Sequence, residues 1–357
     1  MSKGRTIHTI VGSYADASGP GLYVCEYNEE RGSLTVVDRV SGLANPTFAV
    51  CHAESSRVYS IMEEKDGEGN RIGAAAAFEL DRSTGRLTPL GSVPTLHKPT
   101  CHITLDRSGS SIVVSSYHGA SLGLFPLEKD GRISRAADIH VHEGRSVLPV
   151  QDRPRVHSVF FDRNNRFAVA CDLGLDKLFV YRLTDGARRL EPHGSVSVSP
   201  GSGPRHFAFH PSLPFGYVIN ELNGTVTCFA WNAEEGRLVE LETVPTLPAE
   251  FEGENATADI HISPDGRFLY GSNRGHDSIV VYRIDPSNGC LALVEHASTL
   301  GGHPRNFALS PDGRFVLVAN RDGNHIVTFA RDTETGKLTP TGDELALSMP
   351  VCIAFCV

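Results

Sequence analysis

What the chain lacks already narrows its class. No apolar run approaches the ~20 residues that span a bilayer as a helix, so no membrane partner is expected. Positive charge is in deficit: 33 Lys and Arg face 42 Asp and Glu, a formal net charge of −9. That balance argues against nucleic acid as a general partner. No Gly-x-Ser-x-Gly elbow and no Walker-type loop is present. None of the eight cysteines forms a CxxC pair, and no Cys/His pair has zinc-loop spacing, so no metal and no cofactor is expected. The cysteines lie mostly in apolar runs and read as buried, reduced thiols of a cytoplasmic protein. Met1–His8 carries positive charge with no apolar stretch behind it, so no secretory signal is read there.

What is present is turn chemistry. Thirty-five glycines and 21 prolines are spread along 357 residues of 40% apolar content, which speaks for frequent turns around a real core. The length would suit two or three domains, but a closed all-β ring of this size can be one domain, 1–357. A polar turn with glycine followed by an apolar residue recurs with Gly32, Gly85, Gly131, Gly186, Gly236, Gly289 and Gly336, spaced 46 to 55 residues apart. Glycine there supplies the positive φ of a tight hairpin.

A second unit, strand–turn–strand, is clearest at Phe307–Phe315 and Ile260–Phe268, both with Ser-Pro-Asp-Gly-Arg-Phe turns. Looser copies lie at Phe207–Phe215, Val159–Phe167, Ile103–Ser111 and around Ala49–Val58. A seventh first strand, Pro350–Val357, has no hairpin partner, whereas His8–Ser13 has the register of a second strand without a first. The pattern predicts a seven-bladed β-propeller of four-stranded antiparallel blades. One blade is shared between the N- and C-termini, which closes the ring and leaves no open sheet edge. The chain has one tryptophan, Trp231, and no Trp-Asp at strand ends, so it is a poor match to WD40 repeats.

In such a blade the loop before the first strand and the loop after the second share one face beside the central channel. Counting from the hairpins, the leading position holds His157, Arg205 and Arg305, followed one residue on by His102, His206 and Asn306 in their blades. The trailing position holds Glu221, Arg274 and Arg321, each after an asparagine (Asn220, Asn273, Asn320), and elsewhere Ser13-Tyr14, Tyr117-His118, Asp172-Leu173 and Glu63-Glu64. The repeated asparagine reads as a turn device. Such different side chains at equivalent positions as His157, Arg205, Glu221 and Arg274 are not required by turn chemistry and read as a site. Tyr14, His102, His118, Asp172, Asn273 and Arg305 complete the expected ring as substrate-binding candidates.

Gly203–Pro211 (Gly-Pro-Arg-His-Phe-Ala-Phe-His-Pro), Asn220–Asn223 (Asn-Glu-Leu-Asn) and Ala258–Arg267 resemble the seven-bladed propeller lactonase family. That family includes propeller-type 6-phosphogluconolactonases and the fungal carboxy-cis,cis-muconate cyclases. Ala170–Asp176 and Tyr117–Gly119 also resemble family segments, so the likeness runs along essentially the whole chain. The His, two Arg and Glu assigned in the cyclases fall by motif on His157, Arg205, Arg274 and Glu221. The resemblance implies a hydrolase of carbohydrate metabolism that opens a sugar-acid lactone.

Hydrolysis of a lactone needs an activated water, a cation for the oxyanion and a proton for the leaving alkoxide. Glu221 and His157 are the expected base and acid, in either order. Arg205 and Arg274 are expected to hold the carbonyl oxygen and an anionic substituent, a task suited to the guanidinium fork. A lactonising cycloisomerase of muconate type and a non-catalytic binding propeller are the alternatives.

Overall fold

The computed structural model describes residues 7–52 and 54–357; the signal-peptide reading rests mainly on residues 1–6, outside that range. The described residues form seven four-stranded antiparallel sheets. In order of first strand they begin at Ala49–His52, His102–Leu105, Val156–Phe161, Pro204–Phe209, Ala256–Ile262, Pro304–Leu309 and Pro350–Phe355. Each of these strands neighbours the next around the axis, and Pro350–Phe355 meets Ala49–His52 to complete the circle. Pro350–Phe355 pairs with Ile7–Ser13, which pairs with Pro20–Tyr27 and then Leu34–Ser41. The shared blade expected from the sequence is therefore present. Among the described residues the one helix is a single 3-10 turn, Pro149–Gln151, and none is long and apolar enough to cross a membrane.

The second strands explain their own composition. Phe167–Asp172, Phe215–Asn220 and Phe315–Asn320 are buried at every position. Both faces of these strands pack on neighbouring blades, so they read as continuous apolar runs rather than alternating ones. Outer strands such as Leu338–Ala346 alternate, with a wet face. All seven hairpin glycines have positive φ, from 60° to 89°. Four of them lie against a phenylalanine that opens the second strand of the preceding blade: Gly32 on Phe315, Gly236 on Phe167, Gly289 on Phe215 and Gly336 on Phe268. The turn residue and the inter-blade contact are thus one device.

One cysteine reading is corrected. Cys51 and Cys356 form a disulfide, with Cα atoms 5.2 Å apart, inside the usual range for such a bond. It links the inner strand Ala49–His52 to the end of the chain across the closure. A separation of 305 residues hides this pairing from any local pattern. The other six cysteines are free.

Candidate functional site

A bulge in the backbone selects the leading residues. In three blades the inner strand slips against the second strand by one residue: between Val156 and Ser158, Pro204 and His206, and Pro304 and Asn306. The extra residues are His157, Arg205 and Arg305. The shared blade slips likewise at the apolar Val351, and a fifth slip, between Thr257 and Ile260, frees Ala258 and Asp259. An extra residue leaves the ladder and its side chain is re-aimed. Here the result is a set of polar groups turned toward the channel at one end of the inner strands.

A cavity of about 370 Å³ opens there, lined by Tyr14, Thr47, Glu63, Arg71, Pro99, Thr100, Cys101, Tyr117, His118, His157, Glu221 and Arg305. This volume suits a small ligand. Five expected residues, Tyr14, His118, His157, Glu221 and Arg305, are on its wall. A larger groove of about 690 Å³ lies elsewhere, between Phe209, Leu213, Trp231 and Val239, and none of the expected site residues lines it.

Arg205 and Arg274 do not line the cavity; they stand behind it. Arg205 Nε is 2.9 Å and Arg274 Nη2 3.1 Å from the same Glu221 oxygen, Oε2. The Arg205 Nε contact is an ion pair without directed hydrogen-bond geometry, since that N–H has no acceptor in line. Arg205 Nη1 donates to the carbonyl of Ala258, and Arg274 Nε and Nη2 donate to those of Ala256 and Thr257. Burial would raise the Glu221 carboxyl, but Arg274, Arg205 and Arg305 outweigh it and hold Glu221 below its ordinary value. Burial and the charges of Arg274 and Arg305 push Arg205 down to about 9, so it stays a cation at neutral pH. Glu221 is therefore a fixed, ionised carboxylate.

His157 is the opposite case. Burial, then Arg205, His206 and Arg305, hold its imidazole well below 6.5, so it is neutral. Its Nδ1 is buried without a partner. Tyr117 packs edge-on to it with centroids 6.0 Å apart, and Arg155 stacks over Tyr117 at 4.9 Å. Burial and the cations of Arg155, Arg71 and Arg153 also lower His118. Arg305 lies over the Tyr14 ring at 5.8 Å. Among the described residues it has neither a carboxylate partner nor a hydrogen bond.

Three expected residues are elsewhere. Asp172 is fully buried, and its Oδ1 accepts the backbone N–H groups of Arg155, Gly174 and Leu175 while Oδ2 pairs with His142 Nδ1 at 2.6 Å. It holds a turn. Asn273 is fully buried between Thr246 and Ser278, and Asn220 and Asn320 bridge strands in the same way. His102 sits deeper in the channel against Phe48 and Phe160. Sequence reasoning missed Arg71, which pairs with Glu63 on the wall. The signal was available: the hairpin between Glu63 and Arg71 points its loop at the same face.

Comparison with known proteins shows the family. The chain is 35% identical over 345 residues to the 6-phosphogluconolactonase of Bacillus subtilis, covering 97% of each chain. It is 36% identical over 346 residues to that of Formosa agariphila, covering 95% of this chain and 96% of the relative. The periplasmic gluconolactonase PpgL of Pseudomonas aeruginosa superposes with a TM-score of 0.91 at 33% identity, covering 98% and 99% of the two chains. Residues 8–355 match the family described as lactonase, 7-bladed beta-propeller, and the chain belongs to that family.

Proposed function

We propose that the protein opens a lactone that carries an anionic substituent, of the 6-phosphogluconolactone or aldonic and aldaric acid type. The observation that carries this reading is the unpaired guanidinium of Arg305. Arg71, Arg205 and Arg274 each face a carboxylate; Arg305 faces the cavity with none. A free, partly desolvated cation in a small cavity favours a carboxylate or phosphate. The names of the relatives support the lactone part of the reading.

In this reading Arg305 anchors the anionic substituent. His157 takes a proton from the attacking water, because it is neutral whereas Glu221 is locked to two arginines. Glu221 keeps Arg205 and Arg274 in place and sets the positive field behind the reacting carbonyl, where charge develops on oxygen. The His157 imidazolium then returns that proton to the leaving alkoxide.

The test is a panel of phosphorylated aldonolactones, aldonolactones, aldarolactones and muconates, followed by acid release in weak buffer. Rapid turnover of anionic lactones over neutral ones is expected. Turnover of muconates alone, or of nothing on the panel, overturns the proposal.

A further inference from the structure

Beneath the cavity the channel is plugged by rings. His102 lies 4.6 Å from Phe48, 5.0 Å from Phe160 and 5.5 Å from His206 between centroids. His157 reaches the plug from above, its centroid 5.2 Å from that of His206. An apolar plug would close the channel without burying ionisable groups. Instead, a carboxylate is built in. Asp259, 2% exposed, accepts the His206 Nδ1–H at 2.7 Å and the His261 Nε2–H at 2.9 Å. It also accepts Asn306 Nδ2 and the Ile260 N–H. These partners overcome the penalty of burial and hold Asp259 ionised.

The consequence falls on the far side of His206. With Nδ1 donating to Asp259, the neutral ring has its lone pair on Nε2. That Nε2 is buried and without a partner, and so is His157 Nδ1. Two unfilled nitrogens on adjacent rings are complementary when one carries a proton and the other a lone pair. The structure makes no hydrogen bond between them, but centroids 5.2 Å apart leave room for one N–H···N bond of about 3 Å once the two ring nitrogens are turned to each other. His102 is also near His206, but neither of its ring nitrogens is left buried and unpartnered. Burial, with Arg205 near both rings and Arg305 near His157, keeps the two neutral, and no carboxylate other than Asp259 touches His206.

We infer that Asp259 and His206 are positioning residues that set the tautomer of His157. Asp259 fixes His206 as an Nε2 acceptor, His206 fixes His157 as the Nδ1–H form, and the His157 Nε2 lone pair is thereby presented to the cavity. The role assigned to His157 rests on the hydrolytic reading. In that reaction the water oxygen bonds to the carbonyl carbon and its proton goes to His157 Nε2. The imidazolium that forms is stabilised through Nδ1–H by His206, with the Asp259 charge behind it. The proton is returned when the ring C–O bond breaks and the alkoxide leaves as a hydroxyl. The order carboxylate, imidazole, imidazole extends the logic by which a buried Asp orients a catalytic His.

The test uses protein with 15N-labelled histidine rings and long-range 1H–15N spectra. The unliganded wild type is expected to show His157 as the Nδ1–H tautomer. His206→Asn keeps a donor for Asp259 in the place of Nδ1 and removes the Nε2 acceptor. It is expected to move His157 to the Nε2–H form and to lower kcat at least tenfold, with KM within twofold. His206→Gln, whose amide oxygen can occupy the place of Nε2, is expected to restore the Nδ1–H form and part of kcat. A wild-type His157 in the Nε2–H form overturns the inference and needs no variant; so does unchanged kcat in His206→Asn. The tautomer is read without substrate, so its loss and the absence of lactone turnover are separate outcomes.

Discussion

Arg274 Nη2 lies 3.1 Å from Glu221 Oε2 across a blade boundary, and Arg205 Nε, in the same blade as Glu221, reaches the same oxygen. One carboxylate thus serves two guanidiniums that are 8% and 2% exposed and leaves the cluster net positive. Removing the carboxylate strands both, and breaking a buried pair costs about 3–5 kcal/mol. Glu221→Gln is therefore expected to lower the thermal midpoint by several degrees as well as to abolish turnover. Both are measured on one preparation, with turnover assayed well below the lowered midpoint. A variant that keeps wild-type kcat shows that the clamp has no part in the chemistry.

Arg305 gives the complementary case. It has no ion pair to lose, so Arg305→Ala should leave the thermal midpoint within a degree or two. If its charge holds the anionic substituent, a charge-assisted hydrogen bond worth about 1.5–3 kcal/mol disappears. KM for an anionic lactone should then rise about 10- to 150-fold, whereas a neutral lactone should be affected little. Equal effects on the two substrates would remove the anchoring role.

These two residues also show what the sequence makes legible. The ring, the split blade and the leading and trailing positions follow from glycine spacing and strand patterning, because turn geometry is local. Arg305 and Glu221 reach the cavity as register requires. Arg205 and Arg274 share that register yet stand behind the wall. Which of two neighbouring cations faces a ligand depends on the reach of the Glu221 carboxylate, and spacing carries no record of that. The bulges at His157, Arg205 and Arg305 are equally silent, since a slip of one residue alters pairing and leaves composition unchanged. Asp172 reads as a ligand from sequence because an Asp at a strand end looks the same whether it caps three N–H groups, as it does here, or faces a cavity.

Stability should fall on the acid side of neutrality, before the carboxylates titrate. Burial and Arg205 push His206 down to about 4; burial, Arg274 and Arg321 push His303 down to about 3. His102 and His157 are also held well below 6.5. In the unfolded chain each titrates near 6.5. Between about pH 6.5 and 4 the unfolded state binds protons that the native state refuses, so stability declines as pH falls. His261 works the other way: burial lowers it, but Asp259 raises it further, so its contribution is full below 6.5 and fades as pH rises. Four groups outweigh one. Denaturant midpoints from pH 8 to 4.5 at fixed ionic strength should show the decline, with a shallower slope in His303→Gln. A flat profile down to pH 5 would contradict the buried neutral histidines.

The disulfide makes a countable prediction. Protein alkylated in the cell and then denatured without reductant should have titrated as six thiols, not eight. Cys51→Ser should lower stability by about 2–5 kcal/mol, because the bond closes a very long loop in the unfolded chain. Such bonds persist in oxidising compartments, so eight reactive thiols would support the cytoplasmic reading of the sequence and six would oppose it.

Last, the hairpin glycines separate two penalties that usually travel together. Gly186 has φ 60° with nothing near the place a Cβ would take, whereas Gly236 has φ 63° with the Phe167 ring against that place. Alanine at either position pays the left-handed backbone penalty, about 1–2 kcal/mol. Only at Gly236 must it also displace a ring that is 0% exposed, and overpacking adds about 1–3 kcal/mol. Gly186→Ala should thus shift the denaturant midpoint modestly and Gly236→Ala substantially more. Pairing Gly236→Ala with Phe167→Leu should recover part of the difference, because the smaller side chain leaves space where the added methyl goes. Equal shifts in the two single variants would mean that the glycine serves the turn alone and that the inter-blade contact adds nothing.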